Sequence, residues 1–333
     1  MKRQRRFGIP ALALAGWVGA CGGQAGQEFA TSSDVIAACA GTAHTSCSIS
    51  DSCQGGWATL TYGSLEACDE RGAEACEKRA ASAGKGYGVR EIKTCEANQL
   101  AQTCEEWVGT LTPGCGFVGL RGNGAPCLYG SQCASGFCDE YRYYTTRNVC
   151  GVCATPPPEG GACNSSCGGD GMVSCVHDDG AATGHCVRLG ARDDACDKTA
   201  PCGTGLGCAI PSGETSGRCL PTMGDVGDAC DDQVGPFCDY RRRIYCNHST
   251  STCTAAQNAA LGQPCGTLAS GEIAQCVESA CHAEQAEAVA GTCIAYLPDG
   301  AACTFGPGTI RQCAPPALCA SGVCRIVGGE LCD

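Results

Sequence analysis

Leu, Ile, Val and Phe together make up only roughly one residue in seven of the 333, and aromatic residues only 5%. So little apolar material cannot supply the core that a chain of this length normally buries. With a net charge of −12, such a composition would by itself read as disordered. Beyond residue 20 no apolar run is long enough to span a bilayer. Catalytic signatures are also missing: there is no G-x-S-x-G, no H-E-x-x-H and no P-loop. Gly114-Cys115-Gly116-Phe117-Val118-Gly119 matches G-x-G-x-x-G. No strand precedes it and a cysteine sits inside it, so it reads as a chance match in a Gly-rich linker. No enzyme activity and no cofactor are expected.

What the chain has instead is cysteine, 35 residues of it. That density marks a disulfide scaffold, and such bridges persist in oxidising compartments. Metal clusters are the first rival. Metallothionein-like sites use C-x-C or adjacent cysteines, and the chain has neither. The missing C-x-C also argues against epidermal-growth-factor-like modules. Cys150-Gly-Val-Cys153 is the sole C-x-x-C, and His44, His177, His185, His248 and His282 do not complete a zinc-ligand spacing. A thioredoxin-like role for that pair lacks its βαβ context. No metal is expected.

The N-terminus states an address. Lys2, Arg3, Arg5 and Arg6 precede an apolar stretch, Phe7 to Val18, with small residues at Gly19 and Ala20. This is the layout of a secretory signal peptide over residues 1–20. Val18-Gly19-Ala20-Cys21 resembles the lipobox of bacterial lipoproteins, the alternative being ordinary cleavage nearby with Cys21 free. The resemblance implies a diacylglycerol on the Cys21 sulfur and two or three acyl chains, enough for stable anchoring. Gly22, rather than Asp, after the cysteine implies the outer membrane. Removing residues 1–20 takes the net charge from −12 to −16. So acidic a chain repels phosphate backbones, and no nucleic-acid partner is expected. Subtracting Cys21 leaves 34 cysteines, an even number that allows 17 bridges.

Residues 21–33 read as a lipidated, flexible tether. Residues 34–118 carry Cys39, Cys47, Cys53, Cys68, Cys76, Cys95, Cys104 and Cys115 and look helical. Ser64 can cap a helix over Leu65–Ala81, in which Cys68 and Cys76 lie two turns apart near one face. A second helix is expected from Val89 to about Leu100, then a break near Ala101–Gln102. Thr103 followed by Glu106 suits a capping box that restarts the chain as helix. Asp34 to Ala40 reads as an earlier helix. Three or four short helices stapled by four disulfides result.

Residues 122–333 form an array. A G-x-x-Cys opening recurs at Cys127, Cys163, Cys230, Cys265 and Cys303, with Asp193 replacing glycine before Cys196. Six quartets follow. The first three are Cys127, Cys133, Cys138 and Cys150, then Cys163, Cys167, Cys175 and Cys186, then Cys196, Cys202, Cys208 and Cys219. The last three are Cys230, Cys238, Cys246 and Cys253, then Cys265, Cys276, Cys281 and Cys293, then Cys303, Cys313, Cys319 and Cys324. Gly184, Gly217, Gly291 and Gly322 stand two positions before the last cysteine of their quartets. Cys153 and Cys332 fall outside, bonded either to each other or across unit boundaries. A module of about 35 residues cannot fold on its own core, whereas a bridge closing about 15 residues contributes about 3 kcal/mol. Four cysteines allow three connectivities, and spacing does not choose among them. The expected fold class is therefore small and disulfide-rich: a short helical, Cys-stapled domain followed by an array of about six repeats with little regular secondary structure.

The run Cys127-x5-Cys133-Ala-Ser-Gly-Phe-Cys138-x11-Cys150-x2-Cys153-x9-Cys163 resembles the N-terminal cysteine-rich domain of Dickkopf proteins, and Cys319-Ala-Ser-Gly-Val-Cys324 echoes its centre. The resemblance implies that Cys153 belongs to an extended first module. That family's adjacent Cys-Cys is absent here. The lipobox, helical region and array together resemble the cysteine-rich lipoproteins of myxobacteria, a family with no activity to carry over.

Other candidates are weaker. The acidic pairs Asp178-Asp179, Asp193-Asp194 and Asp231-Asp232 read as turn residues, since EF-hand spacing is missing. Arg241-Arg242-Arg243, beside Tyr240 and Tyr245, reads as a solvated strand flank in preference to a contact patch. Tyr141, Tyr143 and Tyr144 suit either a binding loop or packing over disulfides. The expectation is a non-catalytic surface binding or structural lipoprotein of the outer membrane, with an elongated array reaching outward toward a protein or glycan ligand. The alternative is a protease-inhibitor-like array.

Overall fold

The computed structural model describes residues 32–82, 84–109, 115–139, 150–163, 166–168, 173–177, 183–282, 290–304 and 312–332. Five helices come first: α1 (Ser32–Cys53), α2 (Trp57–Tyr62), α3 (Leu65–Ala81), α4 (Val89–Leu100) and α5 (Cys104–Gly109). The cap of α3 is as expected, Ala67 donating its backbone N–H to Ser64 Oγ at 3.0 Å. So is the box that opens α5, where Thr103 N–H reaches Glu106 Oε2 (2.8 Å) and Glu106 N–H reaches Thr103 Oγ1 (3.2 Å). Helix α1 runs far beyond Asp34–Ala40. Its Ser- and Thr-rich second half has weak helical propensity, and packing overrides it.

The reason lies in the pairing of α1 with α3. Cys39 bonds Cys76 and Cys47 bonds Cys68, so cysteines eight residues apart on each helix form two rungs of an antiparallel pair. Midway between the rungs, a Cβ on Gly72 would lie 3.1 Å from the Ala43 Cβ. Only small residues there let the axes come this close. Cys53–Cys104 ties α1 to α5, and Cys95–Cys115 ties α4 to the segment leaving the region. Ser46 Oγ donates to Gln99 Oε1 at 3.1 Å, joining α1 to α4.

All six array units share one plan, numbered here 1 to 6 in chain order. Of the three connectivities open to each quartet, one is used throughout: the first cysteine bonds the third and the second bonds the fourth. Unit 2 has Cys163–Cys175 with Cys167–Cys186, and unit 3 has Cys196–Cys208 with Cys202–Cys219. Unit 4 has Cys230–Cys246 with Cys238–Cys253, and unit 5 has Cys265–Cys281 with Cys276–Cys293. Unit 6 has Cys303–Cys319 with Cys313–Cys324. In unit 1 the fourth cysteine is Cys153, a correction to the quartet that ended on Cys150: the bridges are Cys127–Cys138 and Cys133–Cys153. Cys153 and Cys332 are accordingly not partners of each other.

Each unit places the strand of its fourth cysteine between those of its first and third, for example Ala162–Cys163, Gly184–Arg188 and Val173–Val176 in unit 2. In units 4 and 6 the outer pairing shrinks to single bridges, Ala229 with Thr252 beside Cys253 and Ala302 with Val323 beside Cys324. The second cysteine lies parallel to the chain that enters the unit, as Cys313 does against Leu297 and Cys276 against Ala259. These short sheets are more regular than the composition suggests.

The sequence signatures now have causes. The opening residues Gly124, Gly160, Gly227, Gly262 and Gly300 all have φ between +78° and +95°, and Asp193 adopts +68°. Each is the third residue of a turn closed by a hydrogen bond such as Ala301 N–H to Pro298 O (3.1 Å), the type II arrangement. Each also donates its own N–H to the fourth cysteine's carbonyl, at 2.7 to 2.9 Å in all six units; Gly227 to Cys253 and Gly262 to Cys293 are both 2.8 Å. The glycine two before the fourth cysteine faces the first cysteine across the sheet, as Gly184 faces Cys163, Gly217 faces Cys196 and Gly291 faces Cys265. A Cβ on Gly217 would fall 1.9 Å from Ala209 O. Unit 1 obeys the same rule, with Gly151 facing Cys127. Unit 4 departs from it: Ser251 stands two before Cys253, and its carbonyl still accepts the Cys230 N–H at 2.9 Å.

The array does not reach outward as an elongated arm. Cys150 bonds Cys332 across 182 residues, which closes units 1 and 6 covalently on each other. Leu128, Ala320, Val327 and Cys332 bury together at that junction, and Tyr129 Oη donates to Val327 O at 2.8 Å. The helices hold the array at several points. Ala75 of α3 packs on Ala317 and Ile326, with Cys313 against the same cluster. Arg71 forks onto Asp299 at 3.0 and 3.2 Å while donating to the Ala314 carbonyl at 2.8 Å. In unit 5, Glu278 N–H donates to Leu60 O at the end of α2 (2.7 Å). In unit 1, Tyr129 receives the Arg79 guanidinium 4.8 Å above its ring.

Candidate functional site

The 34 cysteines from Cys39 onward are all bonded in 17 bridges. Within units the bridges stack so closely that the sulfurs of Cys127, Cys133 and Cys138 lie within 4.8 Å of one another, and several other units repeat this. Such spacing could hold a metal only if the sulfurs were thiolates, and here they are committed to disulfides. Cys21, the acidic pair Asp178-Asp179 and the tyrosines 141, 143 and 144 lie outside the described residues, so their expected roles receive no geometry. Of the other acidic residues singled out, Asp231 Oδ1 accepts the backbone N–H groups of Gln233 (2.7 Å) and Val234 (3.0 Å), and Asp194 Oδ2 accepts that of Ala191 (2.8 Å). These are turn carboxylates, as expected. The G-x-G-x-x-G stretch packs its last glycine against the backbone of Gln132, where any Cβ would clash at 1.9 Å. Gly114, the first glycine of the motif, lies outside the described residues.

The arginine triplet departs from the expectation. Arg241, Arg242 and Arg243 are not a solvated flank but the joint between units 3, 4 and 5 and the helices. Asp239, nearly buried, accepts from Arg241 Nε (2.8 Å) and Arg242 Nε (3.0 Å), and Arg242 also pairs with Asp225. Burial acts to raise the Asp239 carboxyl, but the hydrogen bonds and charges of the two guanidinium groups outweigh it and hold it below the usual carboxylate value. Arg243 differs. Its φ is +61°, a region side chains rarely occupy and one concentrated at functional sites. Its Nε donates to Gln275 Oε1 (2.6 Å), its Nη2 to Asn258 Oδ1 (2.7 Å) and its Nη1 to Gly55 O (3.5 Å). All three acceptors are neutral. Burial pulls its guanidinium below the ordinary value, opposed only in part by Tyr245, and among the described residues no carboxylate offsets it.

Arg243 lines a half-open cleft of about 310 Å³ between the end of α1, α2 and units 4 and 5. Trp57 and Tyr240, each 42% exposed, stand at it, together with Tyr245, Gln54 and Gln275. The Tyr245 hydroxyl accepts from Gln275 Nε2 at 2.7 Å, which leaves its own proton to donate. A second cleft of about 400 Å³ between units 3 and 4 is lined by Leu206, Phe237, Ile244 and the pair Asp232–His248. There His248 Nε2 and Asp232 Oδ2 lie 3.2 Å apart. Among the described residues, neither cleft assembles a nucleophile with a base. Sequence reading passed over the first cleft because Trp57 and Arg243 are 186 positions apart; the only local signal was three consecutive arginines between two tyrosines. No family model, curated protein or solved structure matches this chain.

Proposed function

We propose that the chain is a non-catalytic cell-envelope lipoprotein, held on the outer membrane through lipid on Cys21 and acting as a surface binding or structural protein. The observation that carries the reading is the complete pairing of Cys39 through Cys332. It leaves Cys21 with no thiol in the same chain to bond. A cysteine so placed, straight after a signal peptide, is suited to acylation. The bridges require an oxidising compartment, and among the described residues no helix is long and apolar enough to cross a membrane. The likeness to myxobacterial cysteine-rich lipoproteins belongs to the same reading. The alternative of independent inhibitory units is less well supported, because unit 6 is bonded to unit 1 and several units rest on the helices.

Detergent phase partitioning of the expressed protein tests the anchor. The native chain is expected in the detergent phase and Cys21→Ser in the aqueous phase. A covalent dimer on non-reducing gels, abolished by Cys21→Ser, would assign Cys21 to an intermolecular bridge and refute the lipid.

A further inference from the structure

We infer that the cleft beside α2 binds a carboxylate-bearing saccharide unit, its ring lying on Trp57 and Tyr240 and its carboxylate received by Arg243. The inference rests on reading the chain as a binding protein but is independent of the anchor.

The charge count at the arginine triplet selects an anion. Asp239 and Asp225 answer Arg241 and Arg242, while among the described residues Arg243 donates to amide and carbonyl oxygens alone. A guanidinium has five N–H groups, and three are used. Two therefore remain, on a half-buried cation that water screens poorly. A carboxylate is the acceptor whose geometry suits such a fork. The side chain is also held in place before any ligand arrives. Gln275 bridges Arg243 to the Tyr245 hydroxyl through its two amide atoms, and Asn258 fixes the far side of the fork. The ordering entropy of a long flexible side chain is thus already met by the fold, which favours binding.

The other walls select a sugar over a simple anion. Two large aromatic residues left partly exposed along one cleft, Trp57 and Tyr240, stand out in a chain with only 5% aromatics. Their ring faces carry negative quadrupole charge and attract the weakly positive C–H face of a pyranose. The Tyr245 O–H, the Gln54 amide and Thr61 surround them with groups suited to sugar hydroxyls. The volume lies at the small end of ligand clefts, room for one or two sugar rings. A long polyanion is disfavoured by the overall charge of −12, which repels it wherever it leaves the cleft. The ligand that fits is a single acidic sugar within a mostly neutral glycan, or at its end.

The test titrates the full chain in detergent micelles with a trisaccharide ending in glucuronic acid and, separately, with its carboxyl-reduced counterpart. Calorimetry is the readout. The acid is expected to bind at least about tenfold more tightly than the reduced sugar, the order set by one charged hydrogen-bond partner. Arg243→Gln should erase that preference, and Trp57→Ala should weaken both sugars together. Since Arg243 also braces the fold, an unchanged thermal midpoint is required of that variant. Should it fail to fold, Trp57→Ala and the pair of sugars still decide. Equal binding of acid and reduced sugar would overturn the role of Arg243. Binding of an oligoglutamate peptide with no binding of either sugar would replace the saccharide with an acidic peptide. No binding of any probe at millimolar concentration would refute the site and leave the Cys21 partitioning result untouched.

Discussion

In the helical region each bridge joins elements that already satisfy their own backbone hydrogen bonds. Cys39–Cys76 and Cys47–Cys68 stand at the two ends of a helix contact whose middle is Ala43 on Gly72, and Ile92, Ala38 and Ala80 form a small apolar core beside it. In the array the bridges are the core. Among the described residues, the buried cluster at the centre of unit 1 is made of Cys127, Cys133, Cys138 and Cys153. That of unit 4 adds one isoleucine to Cys230, Cys238, Cys246 and Cys253. The same covalent bond therefore serves as a clamp in one region and as a substitute for hydrophobic packing in the other. The difference shows how a chain so poor in large apolar residues folds at all. The helices rely on small residues, clamps and a few apolar side chains around Ile92, and the array units on their sulfurs, turn residues and short sheets, with isolated apolar side chains such as Leu128 and Ile326 at the contacts.

Four interventions probe that contrast. The largest effect is expected from opening the array. Internal bridges shorten the loop closed by Cys150–Cys332 to roughly 100 residues, so replacing both cysteines with serine should cost about 4–5 kcal/mol in urea unfolding. Far-UV helix signal should persist after the array has lost its fold; simultaneous loss of both would show the regions to be one cooperative unit. Gly217→Ala comes next, at about 3 kcal/mol, because its Cβ would fall on a strand backbone that Cys196–Cys208 prevents from moving away. Peptide mapping should show mispaired cysteines confined to unit 3. Gly72→Leu wedges α1 from α3 and should cost about 2 kcal/mol, lowering the helix melting temperature while all array bridges still form. Acid is the mildest. Asp239 is held low in the folded protein, so its contribution is complete above the ordinary carboxylate pKa and is lost as pH falls through the folded value. The urea midpoint should drop below about pH 4, less so in Asp239→Asn; an identical drop in both would clear Asp239 of the role.

What the sequence disclosed was local. Ser64, Thr103 with Glu106, and the two-turn spacing of Cys68 and Cys76 marked helices because caps and periodicity act within a few residues. The G-x-x-Cys opener exposed the repeat because a type II turn needs positive φ at one position, and Asp193 shows that the geometry outlasts the residue type. The closing glycine could have corrected unit 1, since Gly151 stands two before Cys153 while Asn148 stands two before Cys150. What stayed hidden was non-local. Spacing could not choose Cys238 for Cys253, Cys276 for Cys293 or Cys324 for Cys313, because that choice follows from which strands pair. Nor does it reveal that Cys150 meets Cys332, or that Arg243 faces α2 and finds only neutral acceptors. Those facts depend on how six units stack, a matter of packing between segments far apart in the chain.

The closure of the array also governs how the molecule comes apart. A single backbone cut anywhere between Cys150 and Cys332 leaves two fragments that the Cys150–Cys332 bond still holds together. No bridge spans the stretch between Cys115 and Cys127, where Val118 and Leu120 stand more than half exposed. A protease that nicks the array therefore releases nothing, whereas one that cuts those few residues severs every covalent tie between the array and the helices. Durability against digestion is spread over most of the protein's length, and its point of failure is concentrated in a dozen residues.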